Sequence, residues 1–237
     1  MINVSRSYGR RNFLKWAAGT MGLLGGLFNP LPNLIRCVWA SGSKRILPKG
    51  SDPSSLRDLN PEYLDTRNLK VMPVADFRTM GDTDIAIDPQ PYRLQIGGRV
   101  QYPLSLTYTQ ILALPAIERN VLLVCPGIFS NHGRWKGISG KALLERVAAK
   151  ADTTQVVIHG RSHSGDHEAI FPITELASDR VFLCYQVNGE PLPKKHGFPL
   201  RVVAEGHFGS EWAKYVERVE LVGATYEKQN QDIGDGA

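Results

Sequence analysis

The 237-residue sequence predicts an α+β domain in which many short strands alternate with a few short helices. Continuous apolar runs at 121–125 and 181–187 predict strands buried on both faces. The alternation at 215–222 predicts a strand with one buried face, and a helical apolar pattern covers 140–150. We find no internal repeat.

Each predicted element has its own local pattern. Thr107 is a candidate N-cap for the first helix, because its hydroxyl can accept a backbone N–H of the first turn. Gly97-Gly98 and Pro126-Gly127 are expected to end the strands that precede them. In chain order we predict strand 92–96, helix 106–114, strand 121–125, helix 140–150, strand 155–159, polar loop 160–168, a short helix at 173–176, strand 181–187, a long turn at 189–197, and strands 200–204 and 215–222.

The first forty residues have the three parts of a secretory signal peptide. Arg10-Arg11 lies in a basic segment, about 13 apolar and Gly-rich residues follow, and Val38-Trp39-Ala40 supplies small residues for cleavage. A paired arginine in this position predicts the twin-arginine (Tat) export machinery. The apolar segment is shorter than the roughly 20 residues of a membrane span. We therefore expect a periplasmic protein, with an uncleaved signal as membrane tether being the alternative.

The same forty residues account for the excess positive charge. They contain five basic and no acidic residues, so 23 basic and 23 acidic residues remain beyond them. A neutral mature chain gives no reason to expect nucleic acid as a partner. The remaining length suits one domain with a single sizeable core. We divide the chain into signal 1–40, extended linker or arm 41–70, domain 71–225 and polar tail 226–237.

Two cysteines follow the signal, and their settings differ. Cys184 lies within an apolar run and is expected to pack in the core, whereas Cys125 ends its strand. Pro126-Gly127 turns the backbone away, so we expect the Cys125 sulfur to face a cavity, followed by a polar and aromatic loop at 130–135. A thiol in such a setting is inert, nucleophilic or a metal ligand. An oxidising compartment also permits a disulfide between the two cysteines.

A specific motif covers Tyr185 to Arg201, with the sequence Y-Q-V-N-G-E-P-L-P-K-K-H-G-F-P-L-R. It fits the pattern Y-x-x-N-G-x-P-L-P-x-x-H-G-x-P-x-R throughout. From about Met72 to Val222 the chain therefore resembles the molybdopterin-binding domain of the sulfite oxidase family. The resemblance is closer to the periplasmic methionine sulfoxide reductase catalytic subunit than to sulfite oxidase proper. It implies a single mixed-sheet domain that carries molybdenum-molybdopterin and is exported already folded.

The resemblance also implies roles for particular residues. Cys125 matches the cysteine whose thiolate ligates molybdenum, a soft donor that metal binding deprotonates. Arg201 supplies a planar donor fork suited to phosphate oxygens, and Lys214 adds a point charge. The further matches to pterin-contacting positions are His196, Gly209, Arg78, Thr79, His159 and Gly160.

Departures from the sulfite oxidases bear on the substrate. Residues 126–129 replace the glycine-asparagine-arginine run that follows the metal-ligating cysteine in those enzymes. His167 falls where they have an active-site tyrosine, so sulfite is not the expected substrate. Arg134, His132 and His167 are our candidates to line the substrate pocket.

The expected chemistry is oxygen-atom transfer to or from a small S- or N-oxide, coupled to a two-electron change at one molybdenum atom. The sequence has no haem-attachment motif, so a separate cytochrome or membrane haem protein is expected to exchange the electrons. An alternative is an exported copper- or zinc-binding protein, because His159, His163 and His167 would share one face of a helix. Glycine and serine between them favour a loop instead. A cofactor-binding subunit without turnover of its own is a third possibility.

Overall fold

The computed structural model describes residues 43–224 and Tyr226, and the fold is described for these residues. The predicted signal peptide and the tail beyond Tyr226 lie outside them. From Lys44 onward the described residues belong to one compact unit. No helix among them has the length and apolar character needed to cross a membrane.

One five-stranded sheet contains parallel and antiparallel pairs. Strand β12 pairs in parallel with β3 and in antiparallel with β7, so this sheet is mixed. The order across the sheet is β4-β3-β12-β7-β8. The bounds are β3 Arg93–Gly98, β4 Leu104–Thr107, β7 Gln155–Ser162, β8 Gly165–Pro172 and β12 Val216–Val222.

The other five-stranded sheet is antiparallel throughout, and a two-residue ribbon precedes it in the chain. Its order is β10-β9-β6-β5, with β11 also paired to β9. The bounds are β5 Ala116–Cys125, β6 Phe129–Ile138, β9 Val181–Val187, β10 Glu190–Pro191 and β11 Arg201–Ala204, and the parallel ribbon joins β1 Arg45–Ile46 to β2 Leu64–Asp65.

The helices are short, and the first turns of two of them are capped by side chains. Thr107 caps α1 in a capping box with Gln110, as the sequence predicts at this position. Ser139 caps α2 by accepting the backbone N–H of Ala142. The helices are α1 Tyr108–Leu112, α2 Gly140–Val147 and α3 Ile173–Ala177, and short 3₁₀ helices cover Pro53–Asp58, Pro61–Tyr63, Val74–Asp76, Lys194–His196 and Gly209–Glu211.

Residues 121–124 of strand β5 are buried on both faces because two separate apolar clusters cover them. Val121 and Leu123 join the main core, which takes side chains from both sheets. Leu122 and Val124 point the other way and pack under four leucines of the segment 44–69. This arrangement explains the continuous apolar run. The segment predicted as an extended linker or arm therefore wraps the outer face of β5, and we refer to residues 44–69 as the arm.

The predicted α+β class is confirmed, but two predicted loops are wrong. Residues 130–135 lie inside β6, where each pairs with a residue of β5. Residues 160–168 form half of the β7–β8 hairpin, whose turn is only His163-Ser164. In both segments cross-strand pairing overrides the local preference of glycine, serine and asparagine for loops.

The predicted turn at Gly97-Gly98 is also wrong, because both glycines belong to β3. Gly98 has φ +82°, and a side chain at this position would collide with the backbone of Leu221 in β12. The glycine is therefore required by close strand pairing. Cys125 and Cys184 are both free thiols.

Candidate functional site

A cavity of about 770 Å³ is lined by residues of both sheets and by the loop 78–82. Strand β5 contributes its end, β11 its first residue, and the β7–β8 hairpin its tip. Seven of the residues singled out from the sequence line this cavity: Arg78, Thr79, Cys125, His167, Arg201, Gly209 and Lys214.

Cys125 lies half-buried where β5 ends, and the turn that follows keeps it at the cavity. The N–H of Ile128 donates to the Cys125 carbonyl at 3.0 Å, and Gly127 takes the positive φ of +71° that this tight turn needs. Burial raises the pKa of the Cys125 thiol, and the positive charge of Arg78 opposes this to a smaller extent. The surroundings do not generate a thiolate, whereas a bound metal would displace the thiol proton.

Arg201 is a buried cation that faces aromatic rings instead of carboxylates. Its guanidinium lies 5.4 Å from the ring centroids of both Trp135 and Trp212. Its Nη1 donates to the carbonyl of His196 at 3.2 Å. Burial lowers the pKa of Arg201 to about 10. Within residues 43–224 we find no carboxylate in ion-pair contact with it, so an anion in the cavity would supply the missing charge.

Lys214 brings a second cation to the same cavity. Its Nζ donates to the carbonyl of Met80 at 3.0 Å, to the carbonyl of Asp82, and to Thr79 Oγ1 at 3.4 Å. Burial, together with the charge of Arg201, lowers the pKa of Lys214 to about 8. Two cations at one cavity favour a ligand that carries negative charge, such as a phosphate.

Two buried ring nitrogens beside Arg201 have no hydrogen-bond partner in the described part of the chain. They are Nε2 of His196 and Nε1 of Trp212. Burial and the nearby cations lower the pKa of His196 to about 4, so this histidine is neutral at pH 7. Trp212 lines the cavity, whereas His196 packs behind it, edge-on against Phe77. Unsatisfied buried polar atoms next to a cavity fit a ligand that supplies the missing partners.

The glycines predicted near the cofactor act through close backbone packing. Gly209 lines the cavity, and a side chain there would press against the carbonyl of Val124. Gly160 lies outside the lining, and a side chain there would collide with the carbonyl of Lys214. It therefore permits the placement of Lys214 without facing the cavity itself.

Besides Gly160 and His196, three predicted site residues do not line the cavity. His132 and Arg134 lie on the face of β6 opposite Trp135, because successive side chains of a strand alternate. The buried His132 contacts the carbonyl of Lys70 at 3.0 Å, and the exposed Arg134 pairs with Glu118 at 3.4 Å. The structure therefore does not place these two predicted substrate-pocket residues at this cavity.

His159 also faces away from the cavity, and this removes the geometric basis of the metal-carrier alternative. Its Nδ1 accepts a hydrogen bond from Arg218 at 3.1 Å. His159 lies on β7, His163 in the turn and His167 on β8, so the three histidines share no helix face. Over the described residues, no cluster of three or more His, Cys, Asp or Glu side chains is arranged to hold a metal ion. His167 does line the cavity, with its Nε2 2.9 Å from the carbonyl of Ser210.

Several site residues were not predicted from the sequence. Trp212 follows the matched Arg201 but belongs to no motif that we recognised. The amide of Asn131 clasps both backbone groups of Arg78, with N···Oδ1 at 3.1 Å and Nδ2···O at 2.8 Å. Met80 lies against Cys125. These contacts join segments that are distant in the sequence, so local sequence patterns do not predict them.

Residues 80–230 match the family of oxidoreductase molybdopterin-binding domains. The chain belongs to this family. The resemblance predicted from the motif at 185–201 is thereby confirmed, and so are molybdopterin as the cofactor and the oxidoreductase class.

Individual relatives agree with this assignment. The chain is 26% identical to an uncharacterized oxidoreductase, YuiH, of Bacillus subtilis (strain 168), over 60% of this chain and 70% of that protein. It is 28% identical to the protein-methionine-sulfoxide reductase catalytic subunit MsrP of Gluconobacter oxydans (strain 621H), over 62% of this chain and 51% of that protein. Mitochondrial sulfite oxidases match too, as in the mouse protein, which is 30% identical over 57% of this chain and 30% of that protein.

Among solved structures, the sulfane dehydrogenase SoxCD from Paracoccus pantotrophus has the same fold. The TM-score is 0.59 at 22% identity, covering 78% of this chain and 52% of that chain. At this identity the likeness concerns the fold alone. Because the chain spans only about half of the sulfoxide reductase subunit and a third of the sulfite oxidases, the activities of those whole proteins do not transfer directly.

Proposed function

We propose that this protein is an exported molybdenum-molybdopterin oxidoreductase that transfers an oxygen atom to or from a small S- or N-oxide. The observation that carries the proposal is that the half-buried thiol of Cys125 and the buried guanidinium of Arg201 line one cavity. Among the described residues, no carboxylate pairs with this guanidinium. A thiol suits a metal, and an uncompensated buried cation suits a phosphate. The molybdenum-molybdopterin cofactor contains a metal and a phosphate in one molecule.

In this proposal different residues bind the metal and the phosphate of the cofactor. Cys125 ligates molybdenum through its thiolate, while Arg201 and Lys214 hold the phosphate. The Nε1–H of Trp212 donates to an acceptor of the ligand, which would satisfy its unpaired buried donor. His196 supports Arg201 from behind through its carbonyl. Arg78, Thr79 and Gly209 complete the wall.

The substrate end of the cavity lies beside Cys125. When bound, the cofactor supplies a two-electron redox centre and a Lewis acid for the substrate oxygen. The walls of the cavity orient the substrate. Of our candidates for substrate contact, His167 remains, because it lines the cavity with its imidazole held by the carbonyl of Ser210. Its ring can hold a proton or hydrogen-bond the substrate.

Export and an external electron partner belong to the same proposal. The pair Arg10-Arg11 supports the Tat route, and the relative from Gluconobacter is named as a catalytic subunit, which supports a partner protein. A cytochrome or membrane haem protein would exchange the electrons one at a time. The periplasm is the compartment we expect, with the Tat machinery as a transient partner.

Molybdenum and pterin analysis of the natively exported protein tests this proposal. We expect about one molybdenum per wild-type chain, because one thiolate and one phosphate site are available. Cys125→Ser should lose the reduction of sulfoxides by a reduced dye, because serine offers no thiolate to the metal. Cys184→Ala is the matched control, since Cys184 is buried in the core and its replacement should keep this activity. Wild-type protein without metal and pterin would contradict the proposal.

A further inference from the structure

Met80 contacts the sulfur that we assign to the metal. Its Sδ lies 3.6 Å from Cys125 Sγ, and the residue lines the cavity. Met80 is nevertheless 59% exposed, so much of the residue is not covered by other parts of the protein. Met80 therefore offers uncovered apolar surface to whatever binds beside the metal.

The backbone under Met80 is held firmly from both sides. Lys214 Nζ donates to the Met80 carbonyl at 3.0 Å. Two residues earlier, Asn131 accepts a hydrogen bond from the N–H of Arg78 and donates one to its carbonyl. The side chain thus projects from a fixed anchor, while its unbranched thioether can adapt to the shape of a ligand.

The surroundings of Cys125 at this end are largely apolar. Pro126 and Phe129 line the cavity, and Ile128 is 38% exposed at the adjacent turn. The nearest cation, Arg78, donates to the carbonyl of Ile128 at 2.9 Å and lies over the ring of Phe129. Apolar walls favour an apolar substituent on the substrate over a small inorganic anion.

We propose that Met80 is a specificity-determining residue, whose side chain packs against the apolar substituent of an organic oxide bound beside the Cys125 sulfur. This inference rests on the proposed function, since it assumes that the oxide binds at a metal on Cys125. The preferred substrate is then a neutral organic sulfoxide with an apolar group, and not sulfite.

The test compares a large and a small substrate on purified holoenzyme. Reduced methyl viologen supplies one electron per molecule, and each turnover takes two electrons and two protons to convert a sulfoxide into a sulfide and water. We expect Met80→Ala to lower kcat/KM for methyl phenyl sulfoxide by about 10-fold, mainly through KM, because an apolar contact is lost. For dimethyl sulfoxide the fall should stay below about 3-fold.

Two further variants and a binding measurement separate the explanations. Met80→Leu keeps the apolar volume and should retain the wild-type preference. Leu112→Ala removes another exposed apolar side chain, on α1 and outside the cavity lining, and should change nothing. Titration calorimetry with the product, methyl phenyl sulfide, should give a Kd about 10-fold weaker for Met80→Ala, independently of turnover.

The outcomes distinguish this inference from the proposed function. An equal fall for both sulfoxides, no fall for either, or loss of preference in Met80→Leu would overturn the role of Met80 and leave the enzyme assignment standing. Loss of molybdenum from Met80→Ala would also overturn it, by making Met80 a residue that retains the cofactor. Wild-type protein without molybdenum would overturn both.

Discussion

Arg201 carries its charge at a cost to the stability of the folded chain. The guanidinium is buried between two tryptophan rings, and burial lowers its pKa to about 10. Cation–π contacts offset part of the cost of removing the charge from water, but a buried charge without a counter-ion remains destabilising by several kcal/mol. A bound anion would act as the counter-ion of Arg201 and would offset this cost.

We therefore expect Arg201→Met to separate stability from function. Without cofactor, the variant should be about 1–4 kcal/mol more stable than wild type, as measured by urea unfolding, because the uncompensated charge is gone. Its pterin content after native expression should fall strongly. Arg99→Met is the control, since exposed Arg99 pairs with Asp152 and its loss should change stability by about 1 kcal/mol or less. Unchanged pterin content in Arg201→Met would count against a phosphate site at Arg201.

Lys214 makes the stability of the cofactor-free protein depend on pH. Its pKa falls from an ordinary value of 10.5 to about 8 in the folded state, mainly through burial. Between these values the unfolded chain binds more protons than the folded one, so the free energy of unfolding rises with pH from about 8 to 10.5. We expect Lys214→Met to remove this rise, measured by urea unfolding across the range.

Wild type must be compared with Lys214→Met because another group changes the pH dependence of stability in the opposite direction. Burial raises the pKa of Cys184 from 9.0 to about 12, so the folded state binds more protons above pH 9 and loses stability there. This contribution is common to wild type and Lys214→Met and cancels in their difference. Parallel curves for the two proteins would contradict the low pKa of Lys214.

At the scale of elements, the arm supports the hairpin that carries Cys125. The 3₁₀ helix Pro53–Asp58 contacts the turn after β5, where the N–H of Gly127 donates to the carbonyl of Arg57 at 3.1 Å. Ser130 Oγ donates to the carbonyl of Pro53 on the same helix. Leu56 anchors the arm in the small apolar cluster over Leu122 and Val124. The position of the thiol therefore depends on residues that lie far from it in the sequence.

Leu56→Ala tests this support. Leu56 is 5% exposed, so its truncation should cost about 2–5 kcal/mol through the lost burial and the cavity left behind. Hydrogen exchange at the Gly127 amide should become faster, because the arm that accepts its hydrogen bond is loosened. Leu112→Ala, at a side chain that is 45% exposed, should cost far less. An unchanged exchange rate at Gly127 would show that the arm does not brace the hairpin.

At the scale of the whole molecule, the site exists only when distant segments meet. The end of β5, the start of β11, the β7–β8 hairpin and the loop 78–82 all line the cavity. Such a site is complete only in the folded protein. A cofactor inserted before export would therefore have to cross the membrane inside a folded chain, which agrees with the predicted Tat signal.

Replacing Arg10-Arg11 with Lys-Lys is expected to stop delivery to the periplasm, because the Tat route is recognised by the arginine pair. Cell fractionation followed by molybdenum analysis should find the protein in the cytoplasm with its metal still bound. Arg36→Lys changes another basic residue of the same segment and should export normally. Periplasmic accumulation of the Lys-Lys variant at the wild-type level would refute the Tat assignment.

Local patterns in the sequence were sufficient for the α+β class, for most strands and for the cap at Thr107. Apolar periodicity and capping reflect free energies that act over a few residues, so they can be detected without tertiary structure. The motif ending at Arg201, together with Cys125 at the end of an apolar run, also identified the family, and Arg201 and Cys125 both line the cavity.

Only the tertiary structure decided which side chains face the cavity. His132 and Arg134 are close to Cys125 in sequence, yet strand alternation turns them to the opposite face of β6. Met80 and Trp212 reach the cavity through segments brought together by long-range packing. The physical reason is that register and pairing between distant strands depend on the whole core, whereas a sequence pattern records only the preferences of neighbouring residues.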